Sequence, residues 1–349
     1  TRQLTGDYET QLLAARRWRN DWHFRIGVHH LRGLISATTA GRQYAAIADA
    51  TLAALWPQVV AEFARKHGAP PGRGAVILGM GSLGAETLAA TSDLDLIVIY
   101  DPLDQTASTG PRPLETRPYY ARLTQAFITA LTAPMGPGRL YEVDMRLRPS
   151  GRQGPVATSL DSFRTYQSEE AWTWEHLALT RARPVAGAPE IAEDVEAFRQ
   201  TLLQRRRDRS ATLKDVTDMR ARLAAAKPGA AWDAKAGTGR LQDIELFAQT
   251  GALLAGSPAR RTLQQIEAGA ETLSLETTDL VAAHDLFQTV QIAARLLIGG
   301  PFDPDAVGEG GRDFLLRETG TPDLATLESR LQSCAGSVDE IVTKALRDD

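Results

Sequence analysis

The stretch that most constrains this chain is Gly79-Met80-Gly81-Ser82-Leu83-Gly84, a glycine-rich turn set between two short apolar runs. The first run, Ala75 to Leu78, and the second, Leu94 to Tyr100, are rich in β-branched residues and read as buried strands. A side-chain-poor turn after a strand exposes backbone N–H groups and lets phosphate oxygens approach the helix that follows. Eight residues separate Gly84 from Asp93, and Ala85 to Ala90 are expected to form a short helix. Ser92-Asp93-Leu94-Asp95 then opens the second strand. Residues two apart on a strand share a face at roughly 6.5–7 Å, so Asp93 and Asp95 are expected to project together. Carboxylates this close repel unless cations offset their charge, and Mg²⁺ favours such oxygen donors.

A third strand is expected from Leu140 to Arg148, where Tyr141, Val143, Met145 and Leu147 alternate with Glu142, Asp144, Arg146 and Arg148. Its polar face can add Asp144 to Asp93 and Asp95. Three carboxylates on adjacent strands can hold two Mg²⁺ ions, one activating an attacking hydroxyl and one neutralising a departing pyrophosphate. Arg146 and Arg148 have the planar forks that bind phosphate oxygens. Gly81, Gly84 and the Ser82 hydroxyl complete the expected nucleotide-binding set. On a blander view Asp93 only starts the strand and the arginines are solvated, but a glycine turn, an Asp-x-Asp and a third carboxylate together favour chemistry.

The rest of the chain frames this centre. From Asp7 to about His67 the pattern is helical, with Pro57 expected to kink it, and a helix carrying Tyr120, Leu123, Phe127 and Leu131 follows a loop at Pro102 to Pro113. After Pro149 the sequence reads as almost entirely helical. At 349 residues two packed units are expected. They are a sheet-containing unit over 1–190, with its sheet core at about 72–150, and a helical unit over 191–349. The fold class is therefore α+β, a small mixed sheet with flanking helices followed by a helical bundle. A net charge of −4 offers no global attraction to nucleic acid or to an anionic membrane. No uninterrupted apolar run approaches the ~20 residues of a membrane span. Cys334 is alone, which excludes an internal disulfide, and the cytoplasm is the expected compartment. Arginine is abundant whereas lysine occurs only at 66, 214, 227, 235 and 344, a bias ascribed to genomic composition. The start at Thr1-Arg2 suggests a piece of a longer protein.

Gly81-Ser82, ten further residues and Asp93-Leu94-Asp95 resemble the polymerase-β-like nucleotidyltransferase superfamily. Residues 79–101, 140–151, 170–185 and 233–249, with the helical text from Asp7, resemble glutamine synthetase adenylyltransferase. That resemblance implies Asp93, Asp95 and Asp144 as metal ligands and ATP as donor of AMP to a tyrosine hydroxyl of glutamine synthetase. It also implies a PII-type signal protein and glutamine as regulators of the full-length enzyme. The chain departs from the family where Ser82 replaces a usual Lys and Arg240 a usual Gly. The family's enzyme carries an adenylyl-removing and an adenylylating copy. Arg146-Leu147-Arg148-Pro149-Ser150-Gly151 and Glu170 to His176 resemble the adenylylating one.

Two other classes compete. Gly79-x-Gly81-x-x-Gly84, with Asp101 twenty residues past Gly81, also fits a dinucleotide-binding Rossmann turn. A docking module with a degenerate site is the other. His29-His30 are expected to be solvated or core residues, and Asp243 a helix-start residue. Trp172 and Trp174 are expected to pack between the units, and Arg205-Arg206-Arg207 to form a solvated face.

Overall fold

The computed structural model describes residues 6–347, so the Thr1-Arg2 start lies outside the described residues. Two helices lead, α1 (Tyr8–Leu31) and α2 (Ala37–His67). The sheet region follows as β1 (Gly74–Gly79), α3 (Gly81–Gly84), β2 (Leu94–Asp101), α4 (Thr116–Thr132), β3 (Val143–Asp144) and β4 (Thr158–Ser159). Next come α5 (Leu160–Glu169), α6 (Thr173–Leu179), β5 (Arg183–Gly187) and α7 (Pro189–Leu203). Six more helices follow among the described residues: α8 (Arg209–Ala226), α9 (Leu241–Leu254), α10 (Thr262–Ala270), α11 (Thr278–Leu297), α12 (Glu309–Thr319) and α13 (Leu324–Ala345). Five helices start on a side-chain cap: Asp7, Ser36, Ser159, Asp208 and Asp323 each accept the amide three residues on.

The sheet is mixed, in the order β3-β2-β1-β5, with β4 pairing the far end of β2. β1 runs antiparallel to β2 and to β5, while β3 and β4 run parallel to β2. Strand alternation divides the core. Ala75, Ile77, Leu94, Leu96, Val98 and Tyr100 face α1, α2 and α4, where Tyr44, Leu52, Leu55, Phe127 and Leu131 are buried. Val76, Leu78, Ile97 and Ile99 face the other way, onto Phe163 of α5 and Ile191 and Val195 of α7. A third cluster, including Phe247, Leu280, Phe287, Phe314 and Leu331, fills the helical region. This is the expected α+β arrangement of a small mixed sheet with flanking helices followed by helices.

Apolar length and composition would let α2 cross a membrane, with a mean hydropathy of 1.2, yet half of that window is buried. It packs against α1, α4, β5 and α11, the position of a core helix.

Several expectations need correction. The strand expected over 140–148 is ordered as a strand only at Val143–Asp144. The Arg146 amide turns back to the Asp144 carboxylate at 2.8 Å and that of Arg148 to the Met145 carbonyl at 3.3 Å, so the chain bends before Pro149. The helix expected over 85–90 falls at Gly81–Gly84 instead. Glu86 adopts φ +59, which breaks it, and the Leu88 amide bonds the Gly41 carbonyl on α2. The region after Pro149 is not wholly helical, since β4 and β5 lie there. Trp172 and Trp174 are 71% and 38% exposed, so neither is buried between the units.

We propose the division of the chain near 190, with α7 as the element that both units share. Its Ile191, Val195 and Leu202 lie under the sheet, whereas Leu203 joins the helical core.

Candidate active site

The glycine turn, the start of β2 and β3 meet at one end of the sheet. Parallel pairing puts Leu94 beside Val143 and Asp95 beside Asp144. Adjacent strands lie roughly 4.8 Å apart, so the two carboxylates are direct neighbours. Asp93, just before β2, is exposed, while Asp95 and Asp144 are half-buried.

Gly81 completes this end of the sheet. Its φ of +51 is the left-handed region, and a Cβ built on it would lie 2.4 Å from the Asp95 carboxylate oxygen Oδ2. Asp95 therefore rests against the bare backbone of the turn. The Met80 amide donates to the Asp95 carbonyl at 2.9 Å and locks turn to strand. Gly84 serves the opposite side: a Cβ there would meet the Arg181 carbonyl oxygen at 2.1 Å, where the chain approaches β5.

Burial pushes the Asp95 carboxyl up to about 6, with the charges of Asp93 and Asp144 adding to the shift and Lys235 and Arg146 opposing it. Burial would raise Asp144 as well, but hydrogen bonds from the Arg146 side chain and backbone hold it below its ordinary value. The Arg146 Nε donates to Asp144 Oδ2 at 2.6 Å. Asp93, Asp95, Asp144, Gly81 and Arg146 thus converge. Ser82 lines an adjoining cavity, of about 150 Å³, between the turn and α9–α11. Arg148 is spent elsewhere, its guanidinium donating to the carbonyls of Met145, Arg152 and Gly154. Glu142 is exposed and paired with Arg139.

The donor set is all carboxylate and carries mutual repulsion that a hard cation relieves, so its chemistry fits Mg²⁺. Among the described residues no three acidic, histidine or cysteine side chains already form a closed metal cage. The Asp144 carboxylate is engaged by the Arg146 backbone and guanidinium. Residues that the sequence reading did not single out are Lys235 and Arg42, which line the same cavity as Ser82. The signal for Lys235 was a lone lysine inside a glycine-containing loop of an arginine-rich chain.

The Rossmann alternative is excluded by the antiparallel pairing of β1 with β2 and by the four-residue α3, since that fold needs parallel strands joined by a full crossover helix. Asp101, its expected ribose ligand, is held by Arg73. Asp243 lies in the first turn of α9 and accepts the Gly239 amide at 2.8 Å, as a helix-start residue should. Arg240 is buried and donates to the Ala231 and Asp233 carbonyls, fixing the loop before α9. Of the histidine pair, His29 is exposed and His30 is buried, 3.0 Å from Glu318. Arg205 and Arg206 are exposed and Arg207 is half-buried.

A family model described as glutamate-ammonia ligase adenylyltransferase matches residues 2–198. A bifunctional glutamine synthetase adenylyltransferase/adenylyl-removing enzyme of Mesorhizobium japonicum is 40% identical over 96% of this chain. The protein of the same name from Rhizobium meliloti is 41% identical, also over 96% of the chain. In both cases the chain spans 35% of the relative's length.

Proposed function

The chain belongs to the glutamate-ammonia ligase adenylyltransferase family, and from that premise we propose that it transfers AMP from ATP to a tyrosine hydroxyl of glutamine synthetase. The observation that carries this reading is Asp95 seated against the bare backbone of Gly81 and in register with Asp144 on a parallel strand, with Asp93 close enough for its charge to act on Asp95. Asp93, Asp95 and Asp144 would hold two Mg²⁺ ions. Bound there, the ions supply charge neutralisation of the triphosphate and lower the pKa of the attacking hydroxyl.

In the transfer, the tyrosine oxygen forms a bond to the α-phosphorus as the bond to the β-phosphate oxygen breaks. Pyrophosphate leaves and the phenol proton is released. The chain's part is positional. Gly81 leaves the turn open and seats Asp95. Ser82 offers a hydroxyl to the phosphates, and Arg146 presents a planar cation at the edge of the site. Arg148 fixes the turn that follows Asp144.

We propose the adenylylating direction because Ser150-Gly151 and Glu170 to His176 resemble the adenylylating copy of the family. The cytoplasm as compartment, and a PII-type protein and glutamine as regulators, belong to the same proposal for the full-length enzyme. The test uses two assays on the chain. Unmodified glutamine synthetase with ATP and Mg²⁺ is expected to gain AMP by mass spectrometry. Release of ADP from adenylylated glutamine synthetase with phosphate, and no AMP incorporated in the first assay, would reverse the direction. Loss of both activities would favour the docking-module alternative.

A further inference from the structure

Lys235 sits in the loop before α9, in the helical half of the chain, and its backbone is held on every side. Its amide and that of Ala236 both donate to Asp233 Oδ1 at 2.9 Å. Its carbonyl accepts the Gln242 amide at 3.0 Å. The Arg240 guanidinium clamps the carbonyls of Ala231 and Asp233 just upstream. By contrast, the Lys235 ammonium makes no hydrogen bond or ion pair among the described residues, although the residue is exposed.

A fixed backbone carrying an unengaged cation is pre-organised for an anion, because little further ordering of the loop is needed on binding. Its surroundings identify the anion. Lys235 shares the cavity of about 150 Å³ with Ser82 of the glycine turn, Ser92 and the guanidinium-bearing Arg42 and Arg261. Arg261 is already paired with Glu86, whereas Arg42 makes no ion pair among the described residues. The Lys235 charge also favours the ionised forms of Asp95 and Glu245. Glu245 has its own partner, Arg181, at 3.0 Å, so it does not need the lysine. Two unengaged cations and a turn hydroxyl thus line one space beside the glycine turn that seats Asp95, and a polyphosphate matches that charge pattern.

We propose that Lys235 binds the triphosphate of the donor nucleotide across the glycine turn, so that the nucleotide site is shared between the sheet and helical units. The proposal rests on the nucleotidyltransferase reading above. It also gives the loop its purpose: Arg240 and Asp233 act as positioning residues that aim one lysine.

The test compares Lys235→Met and Lys235→Arg in the complete chain. Titration calorimetry with Mg·ATP, without glutamine synthetase, is expected to show affinity for Lys235→Met weakened by roughly 10- to 100-fold, the span of one lost charge-assisted contact. Lys235→Arg should recover part of it. In the transfer assay the KM for ATP should rise in step while the KM for glutamine synthetase stays near that of the parent. Lys235→Met with Mg·ATP affinity within twofold of the parent, at unchanged thermal unfolding without ligand, would overturn the proposal. A parent chain that binds Mg·ATP through Lys235 yet transfers no AMP would sink the functional reading alone and leave the proposal standing. A parent that binds no Mg·ATP would sink both.

Discussion

Replacing Gly81 by alanine tests whether the turn seats the Asp95 carboxylate for the proposed reaction. A Cβ at this position would lie 2.4 Å from Asp95 Oδ2, whereas ordinary contact begins at 3.4 Å, so the carboxylate or the turn must shift by about 1 Å. Since φ is +51, the alanine also carries a left-handed backbone penalty of about 1–2 kcal/mol. That penalty lowers the unfolding midpoint by a few degrees without unfolding the protein. A displacement of this size at a reacting centre costs about 10²-fold in rate. The expected result is therefore a folded variant with AMP transfer down about 10²-fold and a weakened dependence on Mg²⁺. Alanine activity within threefold of the parent, in a chain of normal thermal stability, would show that Asp95 does not depend on the bare turn.

Asp93→Asn or Asp95→Asn should lower AMP transfer by several orders of magnitude with circular dichroism unchanged, because the charge proposed to hold the metal is removed; activity within tenfold of the parent sinks the assignment. Asp144→Asn should be nearly as damaging, but Glu142→Gln should be mild, since Glu142 is exposed and paired only with Arg139; the reverse order would mean that Glu142 faces the metals. The fourth prediction concerns pH. Burial, with the nearby charge of Arg19, pushes His23 down to about 3, against an ordinary value of 6.5. Folding thus favours the neutral ring, its contribution is fully present above pH 6.5 and is lost as pH falls, approaching about 1.4 kcal/mol per pH unit. Urea unfolding should show this loss in the parent relative to His23→Gln between pH 7 and pH 5, and identical slopes would contradict it.

Legibility in the sequence followed element length. β1 and β2 are apolar runs bounded by glycine, proline and aspartate, so their period and limits were readable, and with them Asp93, Asp95 and the glycine turn. β3 and β4 have two residues each and carry no period at all. β5 contains Arg183 and Pro184, which a sheet accepts at its edge, where this strand lies, and which read as a break in isolation. The alternation from Tyr141 to Leu147 correctly put Tyr141 and Met145 in the core, but local hydrogen bonds from Arg146 and Arg148 ended the strand after Asp144. Helix-forming residues at 85–90 were overridden by a tertiary bond, Leu88 to Gly41, that no local propensity contains.

The arginine excess shows why net charge was a poor guide to the site. Arg16 is fully buried and donates to the carbonyls of Leu12, Ala130, Ala133 and Gly138, closing the end of α4. Arg199 reaches from α7 to the carbonyls of Leu179 and Pro258, Arg260 to that of Ala182, and Arg181 to Glu245 and Thr262. These side chains cross-link separate elements, several of them through carbonyl oxygens at or near helix ends such as those of Leu179 and Ala133. A lysine ammonium lacks the planar fork needed to serve several carbonyls at once, so the arginine bias has a structural use beyond genomic composition. Cations committed in this way are lost to ligand recognition. The cations left near the candidate site include Arg146, engaged by Asp144, and Lys235, Arg42 and Arg152, whose side chains make no hydrogen bond or ion pair among the described residues. Anion recognition therefore falls on the few cations whose partners are missing or exchangeable, and these are found by removing the committed arginines rather than by counting charge.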